Sequence, residues 1–273
     1  MNKGLWLTVS PIPVPLTPDW VNLFHIVVFN VGLMAAFGVF TRVSLIVFTV
    51  CYGHMVALES AWGWHDHGPS LVIQVLLVMC IAPGITMLSV DKLVKGYWKG
   101  KVSVAEICFA KIPAYGMQLI LVLVVLFYTT AGVSKLRYGG LRWLDGETLS
   151  FYLAGKSKSN HVQQFGSIEN PSPEQRWKDG VGLSHYLYGA KPSWFGQELS
   201  KQKTLCSLGA ISSVVLELLA PIALFGGLMR RMYFVSTALF HLGIYALMGI
   251  PFLTWVLLDA VLALYPGRLL EDS

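Results

Sequence analysis

The chain has 273 residues, of which 55% are hydrophobic and only 13% charged, with a mean hydropathy of +0.60 and a formal net charge of +5. The runs Leu71 to Ala82 and Leu119 to Phe127 carry no charge on any face, which excludes a soluble helical core protein, whose helices would show charged stripes. The expected fold class is all-α, a polytopic transmembrane helix bundle in a lipid bilayer, and no nucleic-acid partner is expected.

In chain order, residues 1–19 form a proline-rich tail. Pro11, Pro13, Pro15 and Pro18 break its apolar content and no small-residue cleavage site follows, so a signal peptide is not expected there. A transmembrane domain then covers 20–266, with about seven spans at 20–40, 43–60, 69–88, 111–134, 204–228, 232–249 and 252–266. Between spans four and five lies an extramembrane loop, 136–203, in which Trp143, Tyr152, Trp177, Tyr186, Tyr188, Trp194 and Phe195 are set among Gly and Pro. That composition predicts a folded cap on the membrane surface. Residues 267–273 form a C-terminal tail.

Seven crossings place Arg42, the run Lys92/Lys95/Lys99/Lys101, Arg230/Arg231 and Arg268 on one side. The Lys- and Arg-free connector from Glu59 to Gly68 falls on the other. Positive charge marks the cytoplasmic side, so the N-terminus is expected outside and the C-terminus in the cytoplasm, with the cap outside. Cys51, Cys80, Cys108 and Cys206 lie in or beside apolar segments without metal or disulfide spacing and are expected to be packed thiols.

Polar groups inside spans cost free energy and so mark function or register: His54, Glu59, Lys111, Lys135, Glu217, His241 and Asp259. Lys111 snorkels on this reading, and Asp259 caps or pairs near the end of span seven. Glu217 and His241, each about halfway along its span, either hydrogen-bond to one another and hold spans five and six in register or line a cavity. His65, Asp66 and His67 have metal-ligand residue types, but nothing completes four ligands, so no metal is assigned. Lys135 closes the apolar run from Gln118 to Ala131 and is expected one helical turn past its end. An amine there either snorkels or acts as a base of tunable pKa, and Lys135→Met is expected to leave the packing intact.

Five segments add a resemblance: Tyr128-Thr-Thr-Ala-Gly-Val-Ser-Lys135, Trp143-Leu-Asp-Gly146, Leu216-Glu-Leu-Leu-Ala-Pro221, His241-Leu-Gly-Ile and Met248-Gly-Ile-Pro-Phe252. In that order they resemble the vitamin K-dependent gamma-carboxylase-like family, the HTTM ("horizontally transferred transmembrane") domain, which includes bacterial proteins of the sporulation-delaying protein B type. The resemblance implies that Lys135 deprotonates a vitamin K-like quinol. The resulting anion reacts with oxygen to give a stronger base, which removes a proton from a peptide glutamate before carbon dioxide adds. It also implies that His67 is the family's histidine at the start of an apolar helix, here an oxyanion stabiliser. Tyr128, Trp143, Glu217 and His241 would line the cofactor cavity. Ser134 stands where the carboxylase has the first lysine of a pair, and Asp66 where it has an asparagine.

Two functions follow. The first is a membrane enzyme that uses Lys135 and a quinol co-substrate to modify a peptide or small acid. The second is a non-catalytic membrane subunit or peptide-maturation factor packed in a larger complex, in which Lys135 merely snorkels. They differ in whether Lys135 and His67 meet at an apolar cavity.

Overall fold

Long apolar runs broken at Gly and Pro leave the backbone little choice but helix, since a helix satisfies its own N–H and C=O groups where water is absent. The computed structural model describes residues 18–61, 67–82, 89–98, 115–154 and 192–265. Among these it contains ten α-helices and no strand. The chain divides into two units, Met1–Ile120 and Leu121–Ser273.

In the first unit α1 (Pro18–Phe37) packs on α2 (Thr41–Ala61), α2 packs on α3 (His67–Ile81), and a short α4 (Val90–Trp98) follows. Leu45, Leu71, Leu76 and Val78 are buried, and so is His54, whose ring meets Phe24 edge-on at 5.3 Å. The outward faces remain apolar, with Phe29, Phe37 and Ile81 all more than 60% exposed. A surface of this kind suits lipid and not water.

Helix α4 was not foreseen, because its lysines read as a bare connector. Yet Val90, Leu93, Val94, Tyr97 and Trp98 recur at the spacing of one helix face, opposite Asp91, Lys92 and Lys95. The expected span at 69–88 is helical to Ile81, and residues 83–88 lie outside the described residues, as do Lys111 and Cys108.

The second unit begins within α5 (Tyr115–Ser134). From Ser134 the coil does not stop: a π turn, Lys135–Gly139, and a 3-10 turn, Gly140–Asp145, carry it on to α6 (Glu147–Leu153). After the undescribed residues 155–191, which include Trp177, Tyr186 and Tyr188, come α7 (Trp194–Ser200) and α8 (Lys203–Leu218). Pro221 lacks an N–H and cannot continue an α-helix, so α8 tightens into a 3-10 turn, Ala220–Leu224. The segment expected as one span, 204–228, is therefore broken. Then α9 (Gly227–Met248) packs along α10 (Leu253–Leu264), the two joined at Gly249, whose φ of 69° ends α9.

Two helical stretches are long and apolar enough to cross a membrane, Tyr115–Asp145 and Lys203–Leu224. Shorter apolar helices occupy Asn22–Phe37, Thr41–Ala57, Gly68–Ile81 and Leu253–Leu264. Cys51, Cys80 and Cys206 are free thiols.

The described parts of the cap fold against α8 and α9. Leu153 of α6, Cys206 of α8, and Met248 and Ile250 after α9 form one buried cluster, flanked by Leu149, Leu199 and Leu247. Polar ties fix it: Ser150 Oγ donates to Ser200 O at 2.7 Å, and Ser207 Oγ donates to Leu144 O at 2.6 Å.

Candidate functional site

The continued coil decides where Lys135 ends up. Gly132 lies against Glu217 and Leu218, Ser207 holds Leu144, and Gly146 abuts Cys206 and Ser207. The chain from Gly132 to Gly146 thus descends antiparallel along α8, from its last turn to its first. At Gly146 this contact is backbone to backbone: φ is +80°, and a methyl group there would lie 2.3 Å from Ser207 N. Only glycine meets both conditions.

Lys135 consequently stands beside the last turn of α8, where Nζ donates to Glu217 Oε1 at 2.5 Å. The lysine side chain is 23% exposed and the glutamate side chain 10%. Glu217 Oε2 is buried with no hydrogen-bond partner among the described residues. On the other side of the amine, the Trp143 ring lies 5.4 Å away, a cation–π distance.

The expected hydrogen bond between His241 and Glu217 is not formed. Breaking α8 at Leu218 puts Glu217 at a helix end, within reach of Lys135, and His241 lies in electrostatic range of it only. The partner of His241 is Asp259, with Nδ1 to Oδ2 at 3.3 Å. Asp259, to which the sequence assigned only a cap, is wholly buried and accepts from Tyr128 OH at 3.0 and 2.9 Å. Phe252, Phe240, Trp255 and Tyr128 crowd the imidazole, with ring centroids 5.2 to 5.9 Å away. The signal for Asp259 was present: a carboxylate inside the apolar helix Leu253–Leu264 demands buried partners.

A cavity of about 500 Å³ opens in front of Lys135. Its walls are Trp143, Leu149 and Tyr152 from the cap side, Leu205 and Gly209 from α8, and Phe240, Ile244 and Phe252 from α9 and beyond. Of the residues expected to line it, Trp143 does so. Glu217 reaches it through Lys135, while His241 and Tyr128 stand behind the wall that Phe240 and Phe252 form. His67 opens α3 in the first unit, and its side chain lies outside the described residues, as do His65 and Asp66. Among the described residues no group of three His, Cys, Asp or Glu side chains could hold a metal.

An apolar pocket with one amine at its wall, backed by a buried carboxylate, can hold a flat hydrophobic ligand and move a proton. Comparison with known families supplies the context. The family model described as the HTTM domain matches residues 8–170. The chain belongs to the HTTM-domain family. HTTM proteins are membrane-associated, in agreement with the two stretches able to cross a bilayer. No curated protein and no solved structure matches this HTTM chain. The matched segment contains His67, Tyr128, Lys135 and Trp143, whereas Glu217, His241 and Asp259 follow it.

Proposed function

We propose that this HTTM protein is a multi-pass membrane enzyme of the gamma-carboxylase-like kind, in which Lys135 is a base acting on a quinol held in the cavity before Trp143. The observation that carries this reading is the position of the amine, at the wall of an apolar cavity and bonded to a buried carboxylate.

The residues fit such a ligand. The walls are aromatic and aliphatic, the Trp143 ring offers a stacking surface, and Lys135 is the charged group among the lining residues. A bound quinol would supply a weakly acidic hydroxyl and reducing equivalents. Lys135 Nζ accepts the proton and passes it along the 2.5 Å bond to Glu217, so the pair alternates between charged and neutral forms without separating charge in a dry interior. Burial of Asp259 with His241 and Tyr128 holds α5, α9 and α10 in one register behind the cavity wall. The substrate, a peptide glutamate or small acid, would enter from the cap side, outside the cell if the lysine-rich connectors face the cytoplasm.

A purely structural Lys135 in a non-catalytic subunit is the second reading, favoured by the ion pair itself, which already satisfies the amine. Titration with menadione, the bare naphthoquinone ring, separates the two. The enzyme reading expects saturable quenching of tryptophan emission that disappears in Trp143→Phe, and menadiol-dependent oxygen uptake that disappears in Lys135→Met. Absence of both saturable quenching and oxygen uptake in the wild type leaves the structural reading standing. Topology is checked separately: in a background cleared of native cysteines, a cysteine at Gly63 is expected to be labelled from outside, and one at Lys99 only after permeabilisation.

A further inference from the structure

The first unit has a pocket of its own, of about 220 Å³, lined among others by Thr41, Arg42, Ser89, Asp91, Lys92 and Lys95. It lies where α2 begins and α3 and the chain before α4 end. Three cations thus face one carboxylate, and that carboxylate is already engaged. Asp91 Oδ2 accepts from Thr41 N at 2.7 Å and from Thr41 Oγ1 at 2.8 Å, and Oδ1 accepts from Phe40 N at 2.9 Å. Asp91 is the cap of α2, supplied by another helix. Arg42 Nη1 donates to Cys80 O, which fixes the guanidinium at the pocket and leaves its other donors to act. Among the described residues, no ion pair holds Arg42, Lys92 or Lys95. Uncompensated cations gathered around a concave site call for an anion.

The flank of the pocket says which anion. None of the residues of α4 is buried, and Tyr97 and Trp98 are 84% and 85% exposed, next to exposed Leu93 and Val94. In water such a helix would be an unexplained apolar patch. Aromatic and aliphatic groups beside lysines are instead what the headgroup layer of a bilayer accommodates. A free phosphate ion needs no such flank.

We propose that Arg42, Lys92 and Lys95 bind the phosphate of an anionic phospholipid, with α4 lying in the membrane interface beside the headgroup. The site is independent of Lys135 and of the quinol reading. Its effect is to anchor the end of the α1–α3 layer to one leaflet, because Asp91 ties α4 to the start of α2.

The test uses the full chain purified in detergent, mixed with phosphatidylcholine and phosphatidylglycerol and read by native mass spectrometry. Phosphatidylglycerol is expected to be retained in preference to phosphatidylcholine. Lys92→Gln/Lys95→Gln is expected to weaken retention by about fivefold per charge, about 25-fold for the pair. The matched pair Lys201→Gln/Lys203→Gln, on exposed positions elsewhere, is expected to leave it unchanged. Trp98→Ala is expected to weaken retention too, since it removes the interfacial flank. Arg42 is left intact because it also bonds the Cys80 carbonyl, and melting curves of the lysine variants are expected to match the wild type. Equal retention of the two lipids, or full retention by the Lys92/Lys95 variant, overturns the site. Displacement of phosphatidylglycerol by millimolar inorganic phosphate overturns the lipid assignment in favour of a free-phosphate site.

Discussion

Replacing Lys135 with Met removes a charge while roughly keeping length, and the geometry shows why stability is nonetheless lost. Glu217 Oε1 then joins Oε2 without a partner, in a side chain that is 90% buried, because it is 10% exposed. Breaking a buried pair from one side costs about 3–5 kcal/mol. Here the figure falls to about 2–4 kcal/mol, since the lysine side chain is 23% exposed and water can enter behind it. For a chain of this size that corresponds to a fall in Tm of about 5–10 °C. Thermal unfolding in detergent, followed by tryptophan emission, measures it. Glu217→Gln, placed on top of Lys135→Met, removes the stranded charge and is expected to recover about half the loss or more, a coupling of about 1–3 kcal/mol. A Lys135→Met protein that melts with the wild type, or two substitutions whose effects simply add, would refute the reasoning that the pair is a buried one.

Three further outcomes are expected. Asp259→Ala strands the Tyr128 hydroxyl and His241 together and is expected to cost about 2–5 kcal/mol, whereas Tyr128→Phe in the Asp259→Ala background is expected to cost almost nothing, measured by the same melts. Gly146→Ala forces a side chain into the Ser207 backbone at a positive φ and is expected to reduce the monodisperse fraction on size exclusion, where a normal profile would contradict the close approach. The hydrogen bonds from Thr41, with that from Phe40, hold the Asp91 carboxyl below the usual carboxylate range, so its stabilisation is complete above about pH 4 and is lost as pH falls through the lowered value. Hydrogen exchange over 89–98, corrected for intrinsic rate, is expected to show this acid step in the wild type and none in Asp91→Asn.

The helices were legible because apolar length and breakers act locally. Ser134 and the residues after it show where that stops: Arg137, Gly139 and Gly140 read as the end of a helix, yet the coil continues in wider and then tighter turns to Asp145. Lys135 was therefore expected at a membrane edge instead of alongside α8. The choice of partners was the harder problem. Glu217, His241, Asp259 and Lys135 were each identifiable as costly residues inside apolar helices, but which pairs form depends on depth, and depth depended on Pro221 cutting α8 short. The amphipathic α4 was missed for a different reason. Its lysines were weighed as topology signals, and the spacing of its five apolar residues was not examined as a helix face.

The π turn at Lys135–Gly139 also has a bearing on how this architecture tolerates insertion and deletion. Such a turn is an α-helix carrying one surplus residue, so the direction in which everything beyond it points is set by a count and not by any side chain. Deleting a single residue such as Leu136 would let the backbone relax to ordinary α geometry and swing Trp143 and α6 by about 100° around the axis of α5. Lys135 would keep its place beside α8 while the opposite wall of its cavity turned away. Alignments of this region therefore have to be judged on their gaps: two chains identical at Lys135 and Trp143 but differing by one residue between them do not present the same site.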